Sequence, residues 1–521
     1  METIQQTTNW NRALLKKQII SMFIILAISA SFFLLYCFIV NTITDEPVSK
    51  FLPGASDASD YYTEIGAAIR AGIFSRNAGY NGYIFNTDVL CVADSLFYGA
   101  HGLFILLPYI FFGKIIGWGG ASPLIIHMVL FTIAFFFIYF CTASIKKTIA
   151  VQILCFTFVP LIRHFSTMMM EMQMYAWGIL LAALLYAYIK SPNKFNQTGL
   201  LIAIVLASSV RITNIIFGIP YFILTIRDLF IDGLHSKKVR RDLFVGFITI
   251  VFIIFLFYLN KQLSAEYLSG FKPTLKLKYQ EEGIKEAFIY FLSHFNSSLN
   301  AYFNPGASPI FVLLRYSVLG LALILLMNAF ISFHGKKIKI QLNNIMSLSL
   351  SIVLFSIALL NIMFYDIFGW RDFRVMATIF LAVVVYSVIN YDKNKLLACL
   401  SVLLSLSFLF FLNTLPGFIN GRFGDNDHNG YISYIHYNPD AKTRFENTII
   451  IKSFDIMYHD IDPGLCIIGV IGEFMPEYAA ELGVKYILVG KKSVFDENDY
   501  YRSIANGDNW ILYILCVQPD Y

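Results

Sequence analysis

The chain has 521 residues, 57% hydrophobic and 14% charged, with a mean hydropathy of +0.64 and a formal net charge of +5. Soluble globular chains carry about 25% charged residues, so a soluble enzyme, a disordered chain and a collagen-like fibre are all excluded. The abundance of Phe (50) and Tyr (31) suits a lipid-solvated protein with aromatic belts at its rims, and no basic run with interleaved aromatics points to nucleic acid.

The N-terminus, METIQQTTNWNRALLKKQ, leads into an apolar stretch from about 19 to 40. It is longer than a signal-peptide core and no small-residue cleavage site follows, so it reads as a retained first span. A spanning helix needs about 20 apolar residues. Further candidates fall at about 122–144, 148–163, 171–189, 198–210, 214–230, 243–260, 309–333, 345–365, 374–391 and 396–413, about 11 spans with the first. The apolar stretch 96–118 is interrupted by His101, Gly102, Pro108, Gly113 and Lys114, and reads as a helix lying in the membrane interface.

The positive-inside rule supports this division. With the N-terminus inside, the inner turns hold Arg12, Lys16 and Lys17, then Lys146 and Lys147, Lys190 and Lys194, Lys237 to Arg241, Lys336 to Lys339, and Lys393 and Lys395. Counting 96–118 as a span would reverse every later turn. The expected fold is therefore an all-α polytopic membrane module over 1–413. Its outer loops are 41–121 and 261–308, and a small C-terminal α/β domain over 414–521 faces outward. That tail alternates apolar runs (TIIIKSF, LCIIGVIGEF, VKYILVG, WILYILCV) with polar turns, and MPEYAAELG between two of them reads as a helix. Cys466 and Cys516 fall in the tail and are candidates for a disulfide if it is extracytoplasmic; the other cysteines make no framework.

Charge at the outer face carries the chemistry. The first outer loop, TDEPVSKFLPGASDASDYYTEIGAAIRAGIF, is acidic. Asp57 and Asp60 stand out in it, because Tyr61, Tyr62, Ile65 and Ile69 follow at helical spacing. This places both carboxylates at the start of an amphipathic helix, where the helix dipole favours anions and a general base could operate. The short outer turns carry arginines: Arg163, Arg211, and Arg371 with Arg374. Arginine presents a planar fork that grips phosphate oxygens, so these turns suggest an anionic lipid headgroup; local pairing, as of Arg371 or Arg374 with Asp366 or Asp372, is the alternative. Glu171 opens a span within the methionine-rich STMMMEMQMYAW, and an ionisable group at a span boundary is a functional candidate. The methionines suit packing, and also a prenyl tail. His101, His164 and His294 show no paired metal-ligand spacing, so the metal is unknown, with a divalent cation (Mg or Mn) as one option.

With these residues in hand, the layout of 1–415 resembles the GT-C class of membrane glycosyltransferases. These take sugars from polyprenyl-phosphate carriers, and include protein O-mannosyltransferases, lipid A aminoarabinose transferases and bacterial serotype-converting O-antigen glucosyltransferases. The resemblance rests on SDASDYYTEIGAAIRAGIF, on YGAHGLFILLPYIFFGKIIGW, on Glu171 opening the fourth span, on Arg211 between spans five and six, and on WRDFR. Gly102 stands where proline is common, Glu171 replaces the Asp of some members, and two aspartates compete for one catalytic place.

The resemblance implies transfer of a sugar to a hydroxyl of a surface glycan such as O-antigen. Asp57 or Asp60 would be the base, and Arg211, Arg371, Arg374 and Arg163 would sit on the donor phosphate. Glu171, His101, Tyr61 and Tyr62 would position the acceptor or a cation. It further implies a bacterial inner-membrane location, a cytoplasmic N-terminus and a periplasmic C-terminus, with a donor-making synthase and a flippase as partners. Two rival readings are an O-antigen polymerase or ligase, and a lipid-linked glycan transporter without chemistry.

Overall fold

The computed structural model describes residues 2–44, 61–62, 64–66, 68–69, 72–73, 82–84, 102–264, 271–303, 309–333, 342–364 and 373–390. In the C-terminal part it describes 430–431, 433–436, 438–441, 444–452, 465–470, 476–490, 495, 497–507 and 510–516.

The elements run α1 (Glu2–Thr44), β1 (Gly82–Ile84), α2 (Leu107–Ile116), α3 (Ser122–Thr142), α4 (Ile145–Thr157), α5 (Val159–His164), α6 (Glu171–Lys190) and α7 (Lys194–Val210). A 3-10 turn (Ile212–Gly218) leads to α8 (Ile219–Asp232), α9 (Lys237–Gln262), α10 (Phe271–Glu282), α11 (Ile284–Phe303), α12 (Pro309–Phe333), α13 (Leu342–Phe364) and α14 (Phe373–Ile389). The tail adds β2 (Thr448–Lys452), β3 (Cys466–Val470), α15 (Pro476–Glu481), β4 (Tyr486–Gly490), β5 (Tyr501–Asn506) and β6 (Trp510–Leu515).

Six helices among the described residues are long and apolar enough to cross a membrane. The expected spans at 198–210 and 374–391 form as shorter apolar helices, and 396–413 lies outside the described residues. The expected span 148–163 is broken in two. Phe158 adopts an extended backbone before Pro160, which occupies the first turn of α5, the position a helix tolerates because its N–H would be unbonded there. The span expected at 214–230 likewise begins as a 3-10 turn and becomes α-helical at Ile219–Pro220. The interrupted stretch 96–118 forms α2, whose ten residues rise about 15 Å, half of a hydrocarbon core. Its Phe111 and Ile115 are exposed while Tyr109, Ile110 and Gly113 are buried, as in a helix lying along an interface.

Helix α6 is the axis of the bundle. Its apolar window is 72% buried against 17% for α1, whose Phe23, Leu34 and Phe38 are exposed at the periphery. Gly178 lets α14 approach α6 closely: a Cβ there would lie 3.0 Å from the Thr378 carbonyl oxygen and 3.3 Å from the Ala382 Cβ. Such small-residue contacts are how helices associate in lipid. The peripheral α1 is clamped by polar contacts instead, with Gln152 Nε2 donating to the Ile25 carbonyl (3.0 Å) and to Ser29 Oγ (3.1 Å).

Three basic turns collect at one end of the bundle. Lys147 and Lys190 both stand over the Tyr186 ring. Gln197, at the start of α7, donates to Asp242 (3.0 Å), which Arg241 also holds (2.8 Å). Glu171 and Arg211 lie at the opposite ends of α6 and α7 from these turns.

The tail forms a sheet of order β1-β3-β2-β4-β6-β5, parallel from β1 to β4 and antiparallel beyond. Alternating residues face two cores. Ile450, Ile487 and Val489 pack with Ala479 and Tyr513 on one side, and Ile449, Ile451 and Leu488 pack with Tyr431 and Trp510 on the other. The four expected strands and the helix appear where their patterns place them. The polar β5 has no apolar run to announce it, and β1 comes from the first loop, pairing Gly82 with Ile468.

The candidate disulfide does not form, since Cys516 is free and exposed. Cys466 opens β3 and Cys516 follows β6, three strand spacings away, about 14 Å, twice the roughly 7 Å that a disulfide spans between Cα atoms.

Two outcomes follow. Gly178→Leu should lower stability by about 1–3 kcal/mol through overpacking, read as a reduced Tm in detergent; an unchanged Tm would mean the close contact is absent. A variant keeping Cys516 as its only cysteine should react with an impermeant maleimide without prior reduction. Reaction from outside intact spheroplasts would place the tail outward, whereas reaction only after lysis would place it in the cytoplasm.

Candidate functional site

Four pieces of chain converge where α6 begins and α7 ends. The first loop contributes helical turns with Tyr61, Tyr62, Glu64, Ile65 and Ala68 buried. The segment entering α2 contributes Leu103, Ile105, Leu106 and Tyr109; the stretch before α6 contributes Met168, Met169 and Met170; and α7 contributes Val210. The apolar members form one continuous cluster. The tyrosine-rich helix expected after Asp60 is thus present, and it lies on α2: Trp118 Nε1 donates to the Tyr62 carbonyl (3.0 Å), and the two rings are 5.0 Å apart.

Beside this cluster Arg211 Nη1 donates to Glu171 Oε1 at 3.2 Å, with the side chains 12% and 1% exposed. Backbone position explains why these two residue types sit here. Glu171 occupies the first turn of α6 and Arg211 is the extended residue that ends α7. Each charge therefore meets the helix end whose dipole favours it. Asn214, in the 3-10 turn that follows, returns its amide to the Ala207 carbonyl (2.8 Å) and so fixes the chain after Arg211.

A second polar chain runs beneath. The Tyr109 hydroxyl lies 2.9 Å from His127 Nε2, and His127 Nδ1 lies 2.8 Å from the Phe165 carbonyl. A carbonyl only accepts, so Nδ1 carries the proton and Nε2 accepts from the phenol. Burial, and then the charge of Glu171, hold the Tyr109 phenol well above its ordinary range, so it remains a donor. This chain joins α2, α3 and the segment leading to Glu171.

At the exit from His101, Asn260 Oδ1 accepts from the Phe104 N–H (3.2 Å). Gly102 has φ +74°, and a Cβ there would fall 2.4 Å from Asn260 Oδ1. A proline, common at this position in the class the sequence resembles, has φ fixed near −65° and could not take this conformation.

Of the residues singled out in the sequence, the structure brings together Tyr61, Tyr62, Glu171 and Arg211. Arg163, half-buried, ends α5 beside the buried His164. Arg374 lies in the first turn of α14. Asp57, Asp60, His101 and Arg371 lie outside the described residues. Among the described residues, no group of three or more His, Cys, Asp or Glu side chains is placed to hold a metal. Sequence reasoning passed over Tyr109, His127 and Asn260. His127 had a legible signal, an ionisable group inside an apolar span; the other two had none.

No protein-family model and no curated protein matches the chain. Among solved structures it is similar to ArnT from Cupriavidus metallidurans in the apo state, with 9% identity, 98% of each chain covered and a TM-score of 0.42. It is also similar to the same protein bound to undecaprenyl phosphate, with 10% identity, 97% of this chain and 98% of that chain covered, and a TM-score of 0.39. Values of this size describe a loose likeness over the whole length and assign no residue a role.

Removing either charge of the Glu171–Arg211 pair should destabilise the protein by about 3–5 kcal/mol, because the remaining charge loses this ion pair while it stays largely buried. The double variant Glu171→Gln/Arg211→Gln should be less destabilised than the sum of the single changes, with a coupling of about 0.5–3 kcal/mol. Tm values for the four proteins of the cycle test this, and strict additivity would mean that the two groups do not interact.

Proposed function

We propose that the chain is a membrane glycosyltransferase of GT-C type. It moves a hexose from a polyprenyl-phosphate carrier to a hydroxyl of a surface glycan such as O-antigen, at the outer face of a bacterial cytoplasmic membrane. The observation that supports this most directly is the buried Glu171–Arg211 pair, set at the end of the bundle away from the basic turns and against the first-loop tyrosines.

In this reading Asp57 or Asp60 takes the proton of the acceptor hydroxyl as its oxygen attacks the anomeric carbon. The bond from that carbon to the carrier phosphate breaks, its electron pair leaves with the phosphate, and the configuration inverts. Charge then accumulates on the phosphate. Preorganised guanidinium groups in a dry site stabilise that charge most effectively, a role for Arg211, Arg371, Arg374 and Arg163. Glu171 holds Arg211 in place, and Tyr61, Tyr62 and His101 line the acceptor side. The described carboxylates at this end are Glu64 and Glu171, and Arg211 engages one oxygen of Glu171; among the described residues no three His, Cys, Asp or Glu side chains are grouped to hold a metal. No step is routed through a cation. The carrier would be supplied by a donor-making synthase and brought outward by a flippase.

A transporter would carry its charged site near the membrane midplane, whereas this pair lies at a helix end. A polymerase or ligase would require a pyrophosphate-linked glycan. Asp57→Asn and Asp60→Asn, made singly, decide the assignment: one of them should reduce transfer from a polyprenyl-phosphate hexose at least about 100-fold, the low end of general-base effects, with Tm unchanged. Full activity in both variants would remove the first-loop base from the mechanism.

A further inference from the structure

Asn361 of α13 is 1% exposed, and among the described residues neither its side-chain oxygen nor its nitrogen has a hydrogen-bond partner. A buried amide with both atoms unmatched is costly, and native structures rarely keep one without a use.

Helix register locates this amide. Leu350 of α13, Ala182 of α6, Leu200 of α7 and Val383 of α14 line a single apolar cavity. Counting eleven residues from the cavity toward the Glu171 end reaches Asn361 on α13, Glu171 on α6 and Arg211 at the end of α7. Eleven helical residues rise about 16 Å and close three turns to within about 20°, so Asn361 and Glu171 each share a face with the cavity-lining residue below them, and Arg211 ends α7 at the same height. The 3.2 Å contact between Glu171 and Arg211 agrees with this count. On α14, which runs parallel to α6 through the Gly178–Thr378 contact, the Cα of Arg374 lies nine residues outward of Val383, about 14 Å. Helix register therefore puts Asn361 on the cavity-facing side of α13, at about the height of the ion pair.

The unmatched atoms identify what they would bind. A phosphate offers only acceptors and an ammonium only donors, whereas an amide presents one of each kind. A hydroxyl, which both donates and accepts, satisfies the pair. We propose that Asn361 reads a hydroxyl of the transferred sugar, seated in the seam beside the Glu171–Arg211 pair. This rests on the glycosyltransferase reading and adds to it the group that distinguishes a sugar-bearing carrier from the bare one.

The test uses the purified full-length chain in detergent. Its ligands are undecaprenyl phosphate and undecaprenyl phosphate bearing glucose, galactose or mannose, with affinity and Tm as readouts. The wild type should bind at least one hexose-bearing carrier about tenfold or more tightly than the bare carrier, since sites built to hydrogen-bond a hydroxyl discriminate strongly against its absence. Asn361→Leu, close in volume, should retain binding of the bare carrier, lose the sugar-dependent increment, and show an unliganded Tm equal to or above the wild type's. Asn361→Ala should lose the same increment, which keeps the test open if the leucine does not pack.

Retention of the increment in either folded variant overturns the proposal. So does a wild type that binds the bare carrier with no gain from any of the three hexoses. If the wild type binds no carrier at all, the glycosyltransferase reading itself fails, and the assignment of Asn361 fails with it.

Discussion

A carboxylate and a guanidinium 3.2 Å apart, almost wholly removed from water, govern the end of the bundle at which α6 starts and α7 stops. Burying a charge is costly, and the desolvation of each of these two is offset in part by the other. Their positions are set by backbone: one residue opens a helix and the other closes the next, so both dipole ends act in the same sense as the pair. The apolar wall of Tyr61, Tyr62, Met168, Met169 and Val210 lowers the local dielectric. That strengthens the pair, and it would equally strengthen the hold of an arginine on a phosphate.

Several segments at this end are tied to distant parts of the chain. The first loop is pinned to the segment just after α2 through Trp118 and Tyr62, and to the tail sheet through β1. The segment leading to Glu171 is held through Phe165, His127 and Tyr109, and by the Tyr36 hydroxyl on Ser166 at 3.0 Å. Asn260 fixes the backbone beyond His101. These attachments come from α1, α2, α3, α9 and the tail, so the site is assembled from nearly the full length of the chain. The sheet in particular is completed by a strand that lies more than 350 residues before its neighbour.

The legible and illegible parts divide along physical lines. The spans at 122–144, 171–189 and 243–260 were readable because membrane-spanning helices are apolar almost all round. The interfacial α2 was readable because Pro108 and Lys114 interrupt its run. Breaks inside apolar runs were not: Phe158 and the 3-10 turn at Ile212–Gly218 depend on backbone geometry that hydropathy does not record. In the site, Glu171 and Arg211 stood out as charges at span ends, but nothing local said that they form a pair. Tyr109 and Asn361 looked like ordinary interior residues, since an aromatic or an amide gains its meaning from what it faces.

Sequence alone determined a helical membrane bundle with basic turns, an acidic and tyrosine-rich first loop, and a tail of alternating strands and a helix. Each of these follows from hydropathy, period and turn chemistry within a few neighbouring residues. Tertiary structure decided the Glu171–Arg211 contact, the Tyr109–His127–Phe165 chain, the height of Asn361, the entry of β1 into the tail sheet and the separation of Cys466 from Cys516. These depend on the rotation and register of segments far apart in the chain, set by the packing of whole helices and strands and not by any local run of residues.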